Sequence, residues 1–224
     1  YTFSPSSRVS LSETDRLRPD LPVGKHRIRN PSGLLNSRAS PHQMETTRGF
    51  LVGRFQPFHD GHRQLVEAIA DDIDELVIGI GSADASHTVR NPFTAGERMV
   101  MISNVLTDID VQTYVVPLED IERNAVWVSH VESMCPPFDV VYSNNPLVIQ
   151  LFDEGDYEVR DSRMIDRGRL RGTRIRERII DGQSWEDCVP EAVVGAIAEI
   201  DGVKRLRTIA DTDGADADDA DGGE

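Results

Sequence analysis

Residues 49–66 read GFLVGRFQPFHDGHRQLV, and the fold turns on how this stretch divides. Gly49 to Gly53 is a short apolar run closed by glycine, the pattern of a buried strand. Arg54 to His59 contains a proline and breaks the period, so a loop follows. From about His62 onward Leu65, Val66 and Ile69 recur at helical spacing, an apolar stripe on one side of a helix. A glycine at a strand end lets a ligand approach the backbone closely. The helix that follows presents free N–H groups and the positive end of its dipole, both suited to phosphate. His59 and His62, three apart across Gly61, can face that same point. Imidazole suits a phosphate contact because a ring N–H donates whether or not the second nitrogen is protonated.

Working outward, the same alternation repeats. Strands are expected at Leu76 to Ile80, Val111 to Val116, Val140 to Ser143 and Tyr157 to Arg160. Helices are expected between them: one opened by the capping box Thr94-Ala-Gly-Glu97 and running to about Leu106, then Ala125 to Ser133 and Pro146 to Phe152. Three helical segments, Thr173 to Asp181, Pro190 to Ile200 and Val203 to Ala210, close the domain. Five strands alternating with helices predict an α/β fold, a doubly wound parallel sheet whose ligand crevice lies at the carboxyl ends of the strands.

Of 224 residues, 39 are acidic and 24 basic, a formal charge of −15. The bases are 22 Arg and two Lys (Lys25, Lys204), and the acids are 24 Asp and 15 Glu. An Asp-rich, Lys-poor surface resembles proteins of extreme halophiles, where charge keeps a chain soluble but needs salt to screen its self-repulsion. A GC-rich genome favouring Arg codons explains the missing Lys but not the excess Asp. A nonspecific nucleic-acid binder is disfavoured, since phosphate backbones attract basic surfaces. No long uncharged apolar run exists, which excludes a membrane-spanning helix. Cys135 and Cys188 lie far apart outside any metal-ligand spacing, and read as small buried side chains in a reducing compartment.

Residues 1–43 are Ser-, Pro- and Arg-rich, with seven basic and three acidic residues. The remainder holds 17 basic and 36 acidic, a net −19. The first methionine is Met44, so residues 1–43 are expected to be a disordered leader upstream of the natural start; an organelle transit peptide is the competing reading, which Glu13, Asp15 and Asp20 oppose. The expected domain is 44–210. Residues 211–224 (DTDGADADDADGGE) carry seven acids and no large apolar residue, and are expected to be a disordered acidic tail.

With HxGH following GRFQPF, the sequence resembles the HxGH nucleotidyltransferase superfamily and, within it, the archaeal-type nicotinamide-nucleotide adenylyltransferases. The resemblance extends from Arg48 to about Ala210. Gly79-Ile-Gly-Ser-Ala83 with Ser86-His87, and Asn91 to Arg98, resemble the family's second-strand segment, which places Gly81 and Ser82 beside adenosine. Ile121 to Val128 resembles the segment holding the nicotinamide ring, with Trp127 stacked on the ring and Asn124 bonded to the carboxamide. Val141 to Pro146, with Asn144, resembles the adenine-side loop. Arg171-Gly-Thr-Arg-Ile-Arg176 resembles the superfamily's terminal helix-capping motif, with Arg171 where Ser is usual. Thr173 is then expected to cap the helix and hold triphosphate oxygens, and Arg176 to offer its fork of donors to the same anion. Eight Arg against three acids between Arg160 and Arg178 support an anion site independently.

The resemblance implies a Rossmann-like nucleotidyltransferase fold with C-terminal helices. It implies adenylyl transfer from ATP to nicotinamide mononucleotide by in-line attack on the α-phosphate, in a cytoplasmic homo-oligomer. His59, His62 and Arg176 are the expected catalytic residues, and Gly53, Arg54, Phe55 and Gly61 complete the ATP contacts. Mg²⁺ is expected to be carried by the phosphates, because the motifs contain no DxD-like cluster to cage it. Transfer of an adenylyl or cytidylyl group to another phosphorylated acceptor, or nucleotide sensing without turnover, are the competing readings. Intact His59, His62 and Arg176 oppose the last of these.

Overall fold

The computed structural model describes residues 46–161 and 170–221, with side chains as far as Asp213. The leader at 1–43, the arginines between Arg163 and Arg169, and residues 222–224 lie outside the described residues. Five parallel strands form one sheet: β1 (Arg48–Gly53), β2 (Glu75–Ile80), β3 (Gln112–Pro117), β4 (Val140–Ser143) and β5 (Glu158–Asp161), in the order β3-β2-β1-β4-β5. Each lies within one residue of its expected limits. β1 is central, with Phe50 paired beside Val77 of β2 and Val141 of β4. The order reverses between β1 and β4, and in an open α/β sheet that reversal leaves a crevice beyond the strand ends.

Side chains alternate across the sheet with period two. Leu51, Leu76, Ile78, Ile80, Val140 and Tyr142 fall on one face, in a core completed by α1 (Asp60–Ala70), α2 (Ala95–Leu106), α5 (Gly172–Ile180), α6 (Glu191–Glu199) and α7 (Gly202–Asp221). Phe50, Val77 and Val141 fall on the other, packed with Val131, Phe138 and Phe152 around α3 (Trp127–Met134) and α4 (Pro146–Asp153). Phe50 stacks on Phe138 with ring centroids 4.6 Å apart. Truncating so buried a ring costs about 3–5 kcal/mol, so Phe50→Ala is a change this face would feel strongly.

The capping box at α2 forms as expected: Thr94 Oγ1 accepts from Glu97 N–H at 3.2 Å, and Glu97 Oε2 accepts from Thr94 N–H at 2.9 Å. Such a cap contributes about 1 kcal/mol. Arg205 of α7 then grips Glu97 with two hydrogen bonds of 2.7 and 2.9 Å, joining the C-terminal helix to α2. Burial raises the Glu97 pKa, but the Arg205 hydrogen bonds, the Thr94 hydrogen bonds and the Arg205 charge together outweigh it and hold the carboxyl below its ordinary value.

Two local readings need correction, and one short turn was not foreseen. Residues Asn124–Val126 form a 3₁₀ turn before α3, where the sequence pattern predicts one continuous helix from Ala125. A second 3₁₀ turn, Glu186–Cys188, has no sequence signal. The backbone of α7 is helical to Asp221, past the expected end at Ala210 and into the segment expected to be disordered. That segment contains three alanines and no proline, so nothing in it interrupts the i→i−4 ladder, although acids at a helix C-terminus oppose the dipole. Cys188 is buried as expected, whereas Cys135 is half-buried; both are free thiols.

Candidate active site

β1 ends at Gly53, and the chain turns through Arg54–Phe58 into α1, whose N-cap is His59. The helix starts at Asp60, two residues before the expected His62, so His62 stands in the first turn beside its own cap. The two rings stack, centroids 3.6 Å apart and 19° from parallel, and His62 Nδ1 accepts the His59 N–H at 3.3 Å. Phe55 meets the His62 ring edge-on at 4.8 Å, and Phe58 lies 5.3 Å from it. This apolar wall strips water from both imidazoles. Burial pushes the His59 pKa down to about 4. Burial, then the charge of His59, holds His62 well below its ordinary value. Both rings are therefore neutral near pH 7.

α5 faces this loop. A methyl group at Gly172 would stand 2.9 Å from the Gln56 carbonyl oxygen, so only glycine admits the close approach of helix to loop. Arg176, buried, donates to Gln56 O at 2.7 Å, to Val89 O at 2.8 Å and to Thr173 Oγ1 at 3.3 Å. Three of its five N–H groups are thus engaged in the protein, which corrects the expectation of a fork wholly free for phosphate. The cap is corrected as well: Arg171 is the N-cap of α5 and makes no side-chain cap bond, while Thr173 lies inside the helix. Gly53 is small for a different reason than expected. A Cβ there would meet the Phe55 ring at 2.9 Å, whereas at Gly81 the nearest atom is Gly53 O at 3.9 Å, leaving open space.

Arg54, Phe55, Gln56, His59, His62, Gly172, Thr173 and Arg176 line one cavity of about 150 Å³. No carboxylate is among them. Arg54 Nη1 and His59 Nδ1 are buried in it without a partner among the described residues. Burial and the nearby Arg90 lower the Arg54 pKa against the opposing Asp120, and burial with Arg54 brings Arg176 down to about 10. Guanidiniums that burial and, after it, one another's charge push down mark a place that wants an anion. Volume alone would point elsewhere: a larger recess of about 470 Å³ runs along α6 and α7, but its Lys204 and Arg207 share it with Asp201 and Asp211.

A second cavity of about 290 Å³ is lined by Asp120, Ile121, Asn124, Trp127, Leu147, Val148 and Leu151. Asn124 is exposed, and Trp127 is half-buried, edge-on to Phe152 at 5.5 Å. Ser82 N–H donates to Asp120 Oδ1 at 3.2 Å, tying the loop after β2 to the one after β3. Of the other expected contacts, Gly61 is buried in the first turn of α1 and Asn144 follows β4; neither lines the two cavities. Sequence reading missed Gln56, Arg90, Arg98 and Asp120. Gln56 is buried and exchanges two hydrogen bonds with the backbone of Phe93, at 2.8 and 3.0 Å. Only its place inside GRFQPF hinted at it.

A family profile described as Cytidylyltransferase-like matches residues 50–178. A nicotinamide-nucleotide adenylyltransferase from Haloarcula marismortui is 63% identical over 166 residues, 74% of this chain and 88% of the relative. The chain belongs to the nicotinamide-nucleotide adenylyltransferase family. A relative of the same name from Halobacterium salinarum is 62% identical over 167 residues, 75% of this chain and 94% of its own. Among solved structures, a bifunctional NMN adenylyltransferase/ADP-ribose pyrophosphatase from Francisella tularensis, complexed with AMP and a manganese ion, shares the fold with a TM-score of 0.61 at 18% identity. The match covers 73% of this chain and 52% of that one.

Proposed function

We propose that the chain transfers the adenylyl group of ATP to nicotinamide mononucleotide, forming NAD and releasing pyrophosphate. One observation carries the reading: among the described residues, the cavity at the end of β1 joins Arg54, Arg176 and two neutral histidines without a carboxylate, and leaves buried polar atoms of Arg54 and His59 unpartnered. Buried polar groups without partners are costly, so the site fits an anionic ligand that completes them. The family supplies which anion.

In the reaction, an oxygen of the mononucleotide 5′-phosphate bonds to the α-phosphorus of ATP. The bond from that phosphorus to the bridging oxygen breaks, and pyrophosphate departs with the electron pair. The attacking oxygen is already anionic, so no general base and no covalent enzyme intermediate are required; the protein aligns the partners and neutralises charge. His62 donates to the α-phosphate as its charge grows, with His59 beside it on the triphosphate. Neutral rings suit this work, because two imidazolium ions 3.6 Å apart would repel. Arg54 binds β- and γ-oxygens through its unpartnered Nη1. Arg176 adds its charge and its remaining N–H groups.

Gly53, Phe55, Gly61 and Thr173 border the phosphates, Gly81, Ser82 and Asn144 the adenosine, and Trp127 with Asn124 the nicotinamide. Mg²⁺ enters as the ATP complex, which suits a cavity rich in cations and poor in carboxylates. Homo-oligomeric assembly and a cytoplasmic setting without nucleic acid or membrane partners complete the proposal. No described helix is long and apolar enough to cross a membrane.

Incubation with ATP, Mg²⁺ and nicotinamide mononucleotide, followed by chromatography, should yield NAD and pyrophosphate in equal amounts. Parallel arms with CTP and with nicotinic acid mononucleotide define the range of substrates. Product with CTP but none with ATP would overturn the proposal in favour of cytidylyl transfer.

A further inference from the structure

Arg98, in the first turn of α2, is the largest fully buried side chain among the described residues. Among those residues no carboxylate lies within ion-pair distance of it. Its guanidinium instead donates to four carbonyl oxygens: Arg54 O and Gly81 O at 2.8 Å, Ser82 O at 2.9 Å and Thr94 O at 3.2 Å. Three of these acceptors adjoin residues with an unusual backbone. Phe55 has φ 50° and Ser82 has φ 49°, a left-handed conformation that side-chain-bearing residues seldom adopt unless their surroundings impose it. The Arg54 and Gly81 carbonyls belong to the peptide planes that enter those two residues, and the Ser82 carbonyl to the plane that leaves the second.

We propose that Arg98 is a positioning residue for the polyphosphate site, holding Phe55 and Ser82 in their left-handed conformations through the carbonyls beside them. In a trans peptide C=O and N–H point opposite ways. Anchoring the Arg54 and Gly81 carbonyls on Arg98 therefore turns the N–H groups of Phe55 and Ser82 to the far side. Phe55 lines the cationic cavity. Ser82 N–H is spent on Asp120, which lines the second cavity. One buried guanidinium thus sets the backbone that borders both substrate cavities. The planar fork is essential, because an ammonium presents a point charge and cannot span acceptors on two loops. Burial, then the charge of Arg54, lowers the Arg98 pKa to about 10, so the group stays charged near neutrality and adds positive potential behind the site.

The inference rests on the reading of the cavity as a polyphosphate site, and the test separates the two. Binding of metal-free tripolyphosphate is measured by calorimetry on the full chain, on Arg98→Lys and on Arg98→Lys/Ser82→Gly, alongside thermal melts. If the parent does not bind, the polyphosphate reading has failed. With a parent that binds, Arg98→Lys should fold and bind about tenfold more weakly or worse, since the lost fork leaves the carbonyls free to turn. KM for ATP should rise with it. Adding Ser82→Gly should restore part of the affinity, because glycine takes positive φ without support. A purely structural arginine would lower the melting midpoint and leave affinity unchanged. Parent affinity in folded Arg98→Lys overturns the inference, as does a loss that Ser82→Gly leaves untouched. If Arg98→Lys does not fold and the double variant does not either, Arg98 serves folding alone and the inference is equally overturned.

Discussion

The two cavities differ in how finished they are without substrate. Around the first, Gln56 is locked to Phe93, Arg176 is tied to Gln56 and Val89, and the histidine rings are stacked, with His59 buried and His62 half-buried. Around the second, Asn124 is exposed, Leu147 is 45% exposed, and Trp127 begins a helix that follows a single 3₁₀ turn. Charge explains the contrast. Donors aimed at a transferring phosphoryl group are effective only if they need no reorganisation as the reaction proceeds. A flat ring, by contrast, is captured by apolar contact and stacking, which tolerate a wall that the ligand itself completes.

Four measurements can break or sharpen this comparison. The largest effect is expected at the finished cavity: His62→Ala should keep a parent-like melt and lose about 10²-fold or more in kcat, the range for one transition-state donor. Activity within a few-fold of the parent would remove His62 from the chemistry. At the unfinished cavity the loss should appear in binding. Trp127→Ala should raise KM for the mononucleotide about tenfold, the scale of one lost ring stack, with KM for ATP nearly unmoved. Equal rises for both substrates would make Trp127 a core residue rather than a stacking platform.

The third measurement concerns pH. His59 has a folded pKa near 4 against an ordinary 6.5, so the unfolded chain binds the proton more tightly. Its contribution is complete above about pH 6.5 and is lost as pH falls toward 4. Melts at constant ionic strength should show the midpoint dropping across that window, and His59→Asn should flatten the drop. An unchanged profile in the variant would mean that His59 is not held neutral by the fold.

The smallest expected effect, a shift of melting midpoint, opposes acidic surface to cationic cavity. With a formal charge of −15, the chain should gain stability as KCl rises, since the Debye length falls from about 10 Å at 0.1 M to about 3 Å at 1 M. The same screening should weaken ATP binding at the arginine-lined cavity. A flat or falling midpoint from 0.1 to 3 M KCl would dismiss the salt-adapted surface.

Much of the architecture was legible because it is local. Short apolar runs between helical segments marked the five strands, and Thr94 with Glu97 marked the start of α2, since a capping box is satisfied within four residues. The HxGH element was legible because its two rings come from one helical turn. The exact route of the chain before α3 was not, because a 3₁₀ turn and an α-helical turn share nearly the same side-chain spacing. The end of α7 was misjudged because acidic composition speaks to burial and not to backbone hydrogen bonding.

By itself, then, the sequence determined the layered α/β fold, the position of the histidine pair and the family, all of which follow from patterns a few residues long. Tertiary structure alone decided which backbone acceptors Arg98 and Arg176 take. In the sequence each is one arginine among 22. Those acceptors are carbonyls 87 and 120 positions away for Arg176, and 16, 17 and 44 away for Arg98. A buried guanidinium must take whatever acceptors the fold brings to it. Chain spacing does not record that choice, because the acceptors are backbone oxygens that every residue possesses.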